Sequence, residues 1–270
     1  MPVSKPRFTT VLSQRSITTP KSGPEAPMSS PLARPTTVLL TGATSGIGAA
    51  LLPRLLDRGN TVIALARRAT HLPARAGLVP VAADLTDLAG LPALAARIAG
   101  DHPGLSVLIN AAGVQHAIPL TDPASTPAHF VEETALNLTA PAVLVQALLP
   151  TLIRQPDGAI VNLSSGLATF PKAAGGLYSA TKAGLSSFTT SLRWQLEATP
   201  LLVAEVILPL VDTPMTAGRG RGKISAEAAA VAILSGIDAR RTMIRVGAAR
   251  ALPLISAFAP WLGRRILRGT

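Results

Sequence analysis

The chain has 270 residues, 48% of them hydrophobic but only 3% aromatic, with a formal net charge of +11 and no cysteine. That length suits one sizeable domain with tails, and an aliphatic, aromatic-poor composition fits parallel strands under helices better than an aromatic-rich sandwich. The missing cysteine excludes disulfides and thiolate metal sites, and makes a cytoplasmic location the default.

Residues 1–35 are rich in Ser, Thr and Pro, carry five cations against the single acid Glu25, and lack hydrophobic periodicity. They predict a disordered basic tail in preference to an organelle-targeting helix. From residue 36 strands and helices alternate: strand "TTVLL", helix "GIGAALLPRLLDRG", strands "TVIALA" and "LVPVAA", helix "LAGLPALAARIAG", strand "LSVLIN". A long helix over 128–153 follows, then strand "AIVNLS", a helix over 178–197, strand "LLVAEVIL", a helix over 226–237 and strand "TMIRV". Pro53 should kink the first helix.

Parallel strands need long right-handed crossovers, so this alternation predicts a single α/β domain over 36–250. Its architecture is a Rossmann-type, doubly wound parallel sheet of about seven strands with helices on both faces. Residues 251–270 form a basic amphipathic tail with Arg264, Arg265 and Arg268, expected over the substrate cleft or a neighbouring subunit in preference to a membrane surface. No uninterrupted run reaches the roughly 18 apolar residues of a membrane span.

The first strand runs into Gly42, Thr44, Ser45, Gly46, Ile47 and Gly48, in the pattern TGxxxGxG. Glycines there let the backbone approach a pyrophosphate while the next helix presents its positive end. The second strand ends at Ala66, where an acid would bind the ribose hydroxyl of NAD, and continues with Arg67 and Arg68. Guanidinium groups match a 2′-phosphate, so NADP(H) is expected over NAD(H).

Tyr178 is the only tyrosine, and Lys182 follows it by four residues in a helical segment, so the two share a face. A nearby ammonium lowers a phenol's pKa toward the working range, and such a phenol can exchange a proton with a carbonyl oxygen. Ser165 ends a strand upstream and Asn137 lies in the preceding helix.

With these residues the chain resembles the short-chain dehydrogenase/reductase family. The matching motifs are TGATSGIG, Asp84-Leu85, "NAAG" at 110–113, "LNLTAP" around Asn137, Ser165, Tyr178-Ser-Ala-Thr-Lys182 and "LPLVDTPM", in the family's order over 36–250. "SSGLATFP" and "IRVGAARALPLISAFAP" are similar to its DltE-like branch. The resemblance implies an NADP(H)-dependent oxidoreductase moving hydride between nicotinamide and a carbonyl or secondary alcohol. Tyr178 would be general acid/base, Lys182 would lower its pKa and bind the nicotinamide ribose, Ser165 would hold the substrate oxygen, and Asn137 would support a water relay. Asp84 and Leu85 would meet the adenine; Asn110, Ala111, Ala112 and Gly113 would line the cofactor; Pro209, Val211 and Thr213 would meet its nicotinamide end. A homodimer or homotetramer pairing through the helices at 128–153 and 178–197 is implied too. The alternative is a catalytically silent NADP-binding regulator of the same fold.

Two positions depart from the family: Ala111 replaces a second asparagine, and Leu208-Pro209 replaces Pro-Gly. The first removes a side-chain hydrogen bond at that strand end; the second predicts altered loop geometry with binding retained. "TAGRGRGK" at 216–223 reads as a flexible lid over a small-molecule substrate in preference to a nucleic-acid segment. His71, His102, His116 and His129 lack metal-ligand spacing, so no metal is expected. Of these, only His116, beside Gln115, could reach substrate, and a solvated loop histidine is the preferred reading.

Overall fold

The computed structural model describes residues 29–268. Strand β1 (Thr37–Thr41) leads into helix α1 (Gly46–Asp57), then β2 (Thr61–Ala66), β3 (Leu78–Ala82), α2 (Leu91–Asp101) and β4 (Leu105–Asn110). Helix α3 (Pro127–Thr134) passes through a π-helical turn (Ala135–Thr139) into α4 (Ala140–Leu152), followed by β5 (Ala159–Ser165), α5 (Gly176–Gln195) and β6 (Leu202–Leu208). Two short strands, β7 (Val211–Asp212) and β8 (Ile224–Ser225), precede α6 (Ala226–Asp238), β9 (Met243–Arg245), α7 (Leu252–Phe258) and α8 (Pro260–Arg268).

One seven-stranded sheet has the order β3-β2-β1-β4-β5-β6-β9, with every pairing parallel. Its strands are hydrophobic on both faces because helices cover both. On β1, Val38 and Leu40 enter one layer with Leu51, Leu55 and Ile233, while Leu39 enters the other with Leu91, Leu144 and Leu148. Each such leucine is fully buried, and truncation to alanine would cost about 2–5 kcal/mol. The strand order reverses between β1 and β4, and the crevice beyond their C-terminal ends is the general ligand position of such sheets.

Four features add to the expected alternation. Residues 1–28 lie outside the described part, but 29–35 are packed onto the domain: Leu32 is 6% exposed in the core, Ser30 donates to Asp238 at 3.0 Å, and Arg34 pairs with Asp157. With Arg240 donating to Ser29 O at 3.0 Å as well, these contacts hold a segment whose composition reads as tail. Helix α1 runs from Gly46 to Asp57 with Pro53 inside it. The expected helix over 128–153 is continuous from Pro127 to Leu152 and contains an 18-residue window of mean hydropathy 1.5, long and apolar enough by composition to cross a membrane. Half of that window is buried, and α4 packs against α2 and β4 as a core helix does. Finally, β7 pairs with β8 and thereby closes the base of the 216–223 loop.

Candidate active site

The turn after β1 is shaped by glycine. Gly42 and Gly46 adopt φ of +69° and +52°, and a Cβ on Gly42 would sit 2.8 Å from Ala112 Cα. A Cβ on Gly48 would strike the Gly42 carbonyl oxygen, so this glycine lets α1 start directly above the turn. Ser45 stands at the N-cap of α1 without a side-chain cap, and the first turn carries no acid. The helix therefore presents free N–H groups and an uncancelled positive end.

Across the switch point, Thr41 Oγ1 accepts the N–H groups of Ala111 and Ala112, each at 3.0 Å. This threonine fixes the strand end despite Ala111 in place of asparagine. Asn110 points inward instead, donating to Asn162 Oδ1 at 2.8 Å, and Asn162 donates to Thr189 of α5 at 2.9 Å.

A cavity of about 430 Å³ runs from this turn to α5. Gly42, Thr44, Ser45, Gly46 and Ile47 line one stretch; Arg67, Arg68, Asp84 and Leu85 line one end; Ala111, Ala112 and Gly113 form its floor. Ser165, Tyr178, Lys182, Pro209, Val211 and Thr213 line the other end. Asp84 is held below its ordinary carboxylate range, chiefly by the Thr86 N–H at 2.9 Å and its hydroxyl at 2.8 Å, with Arg67 adding to the effect.

Three expected residues lie behind this wall. Gly48 shapes the turn from outside and Asn110 is spent on Asn162, so neither lines the cavity. Asn137, in the π-helical turn, accepts from Val114 N–H at 2.8 Å and donates to Val114 O at 2.8 Å and to Thr181 Oγ1 at 3.3 Å. Its amide is thereby committed to bracing the Gly113–Val114 backbone, and no bond to Lys182 forms. The π-turn is what rotates it inward, a distortion common at functional sites.

At the reacting end, Lys182 Nζ donates to Leu163 O at 2.8 Å and lies 5.7 Å from the Tyr178 ring centre. Tyr178 is partly buried in the cavity wall. Burial pushes its phenol up to about 12, with Glu133 adding and Arg219 and Ser165 opposing. Burial takes Lys182 down to about 8. Desolvation is the largest influence on the phenol, and the expected lowering by Lys182 is not among its causes.

Sequence reasoning missed Lys172, which lines the same cavity, and Thr41 and Glu133, which support it, while Arg219 lines the cavity from the segment expected to be a lid. For Lys172 a signal existed, since only five lysines occur and this one lies six residues before Tyr178. The C-terminal segment comes over the cleft: Gly263 packs on the Phe170 ring, Leu252 on Gly166, and Leu267 lines the cavity. His116 pairs with Glu132 at 2.9 Å, and no cluster of metal-ligating side chains occurs among the described residues.

A switch-point cavity joining a glycine turn to a Ser–Tyr–Lys trio defines a nucleotide-dependent oxidoreductase, and the chain belongs to the short chain dehydrogenase family, whose model matches residues 36–223. It acts on CH–OH or C=O groups, as that family does. Among its relatives, an uncharacterized oxidoreductase, DltE, of Bacillus subtilis is 40% identical over 183 residues, 66% of this chain and 72% of that one. A serine 3-dehydrogenase of Agrobacterium fabrum is 34% identical, over 69% of this chain and 76% of its own. A short chain dehydrogenase of Burkholderia cenocepacia, solved with NADP, superposes with a TM-score of 0.76 at 27% identity over 87% of this chain and 98% of its own.

The residues fit a dinucleotide: the close approach at Gly42 and Gly46 leaves room for a pyrophosphate against free helix N–H groups. The turn residues would hold the diphosphate and Lys182 the nicotinamide ribose.

Proposed function

We propose that the protein is an NADPH-dependent carbonyl reductase in which Tyr178 donates the proton. The observation that carries this reading is the convergence of Ser165, Tyr178 and Lys182 at one end of a cavity whose other end holds Arg67 and Arg68. The cofactor supplies or accepts hydride; everything else is the work of side chains.

Ser165 and Tyr178 place two hydroxyls where a carbonyl oxygen can accept from both, polarising the bond as negative charge develops. A phenol held near 12 is protonated at neutral pH and so stands ready as an acid toward a bound carbonyl oxygen. Lys182, near 8, is charged in most molecules at neutral pH and can return a proton to the phenolate.

Support for NADP(H) comes from Arg67 and Arg68 following Ala66, with no acid at the end of β2. Besides the Burkholderia cenocepacia protein, a Sphingobium yanoikuyae dehydrogenase 28% identical was solved with NADPH, while a Burkholderia phymatum neighbour was solved with NAD.

The test is NADPH consumption against a panel of ketones, aldehydes and oxo acids. Tyr178→Phe should cut kcat by about 10²-fold or more while leaving NADPH binding intact. Undiminished turnover in that variant refutes the assignment.

A further inference from the structure

The proton-transfer chemistry leaves unused a second polar group in the same cavity. Lys172, in the loop between Ser165 and α5, is only 8% exposed and faces the cavity. Its side chain makes no hydrogen bond or ion pair among the described residues; only its backbone N–H is engaged, with Ser179 Oγ. A desolvated ammonium without a partner is costly, and burial accordingly holds Lys172 below its ordinary value.

Gln115 shows the same deficit, with a buried Nε2 that has no acceptor. The two donors converge: a Cβ on Gly175 would lie 2.5 Å from Lys172 Cε and 3.3 Å from Gln115 Nε2. Gly175 immediately precedes the helix that carries Tyr178, so the pair sits at the foot of the reacting end. Arg219, from the loop between β7 and β8, lines the cavity and acts through space on both Lys172 and Tyr178.

We propose that Lys172, Gln115 and Arg219 form a subsite for a carboxylate carried by the substrate, beside the carbonyl held by Ser165 and Tyr178. The substrates are then oxo acids and their hydroxy-acid products. Lys172 and Arg219 outnumber the buried Glu133, which acts on Lys172 and Tyr178 and already accepts the His116 N–H at 2.6 Å. This corner therefore keeps an excess of positive charge that a substrate carboxylate would offset. Ammonium and amide together supply the donors that a carboxylate's two oxygens require.

This inference rests on the reductase reading, and the experiment separates the two. Values of kcat/KM with NADPH are measured for 2-, 3- and 4-oxo acids and their methyl esters in wild type, Lys172→Met, Lys172→Arg and Gln115→Leu. At least one acid should exceed its ester tenfold or more in the wild type, with the preference collapsing in Lys172→Met through KM and largely kept in Lys172→Arg. Equal use of acids and esters, or a preference that survives Lys172→Met, overturns the subsite. The same acids are titrated into Tyr178→Phe with NADPH bound, followed by nicotinamide fluorescence. Binding weakened tenfold or more by adding Lys172→Met supports the subsite even without turnover, a result that would sink only the reductase reading. Absence of acid binding overturns the subsite even if neutral ketones are reduced.

Discussion

Lys182 stands 5.7 Å from the centre of the Tyr178 ring, one helical turn along α5, with its ammonium tied to Leu163 O instead of to the phenol. Proximity between the two is thus arranged by the helix, while the direction of the lysine is set by the end of β5.

This burial should show in the pH dependence of stability. With Lys182 at about 8 in the folded protein and at its ordinary 10.5 unfolded, both states are protonated below pH 8 and the desolvation cost is fully felt. Between about pH 8 and 10 the unfolded chain holds the extra proton, so folded stability rises with pH, by at most roughly 3 kcal/mol. Lys172, lowered by its own burial, acts in the same direction. Tyr178 opposes only above about pH 10, where the unfolded phenol ionises first. Melting of the cofactor-free protein at pH 7.5 and 9.5 should show this rise, and Lys182→Met should reduce it while being the more stable at pH 7.5. Identical profiles for the two proteins would count against the buried ammonium.

Cofactor choice should turn on the pair at the end of β2. Replacing Arg67 and Arg68 by serine should raise KM for NADPH about 10- to 100-fold and leave KM for NADH nearly unchanged, because only the former loses its phosphate contacts. Equal effects on both cofactors would assign these arginines to the surface.

Two glycines in helices should respond in opposite ways to alanine. Gly48→Ala forces a Cβ into the Gly42 carbonyl and should abolish NADPH binding and lower Tm by several degrees. Gly100 in α2 has nothing within 4 Å of a new Cβ, so Gly100→Ala should stabilise by about 0.5–1 kcal/mol. Thermal melts with and without NADPH check both.

Neighbouring strands carry a further contrast. Asn162 on β5 is in register with Glu205 on β6. Asn162→Leu strands the Asn110 amide, while the Thr189 hydroxyl keeps its bond to Leu185 O, and should cost about 1–3 kcal/mol. Glu205 is 1% exposed and neither carboxylate oxygen has a hydrogen-bond partner among the described residues. Glu205→Met should therefore stabilise by about 1–3 kcal/mol, as when a buried unpaired charge is replaced by an apolar side chain. Urea denaturation of the two variants measures both.

Much of the site was readable because its spacing is local. The TGxxxGxG turn follows β1, and Tyr178 and Lys182 lie four apart on a helix; 3.6 residues per turn makes them neighbours whatever surrounds them. Asn137 was legible as a motif residue but its side-chain partners Val114 and Thr181 were not, because a π-helical turn departs from the helix geometry that periodicity assumes. Ala111 looked like a lost hydrogen bond, and the compensating Thr41 Oγ1 comes from another strand, 70 residues away.

By itself, then, the sequence determined the alternation of elements, the phosphate turn and the Tyr178–Lys182 pairing, all consequences of backbone periods acting over a few residues. Tertiary structure alone decided that Lys172 and Gln115 meet over Gly175, that Arg219 joins them from the loop between β7 and β8, and that Leu32 anchors a segment of tail-like composition. Those contacts bring together loops far apart in the chain. Which side chains they leave buried without a partner is settled by the packing of the whole sheet and by no local rule.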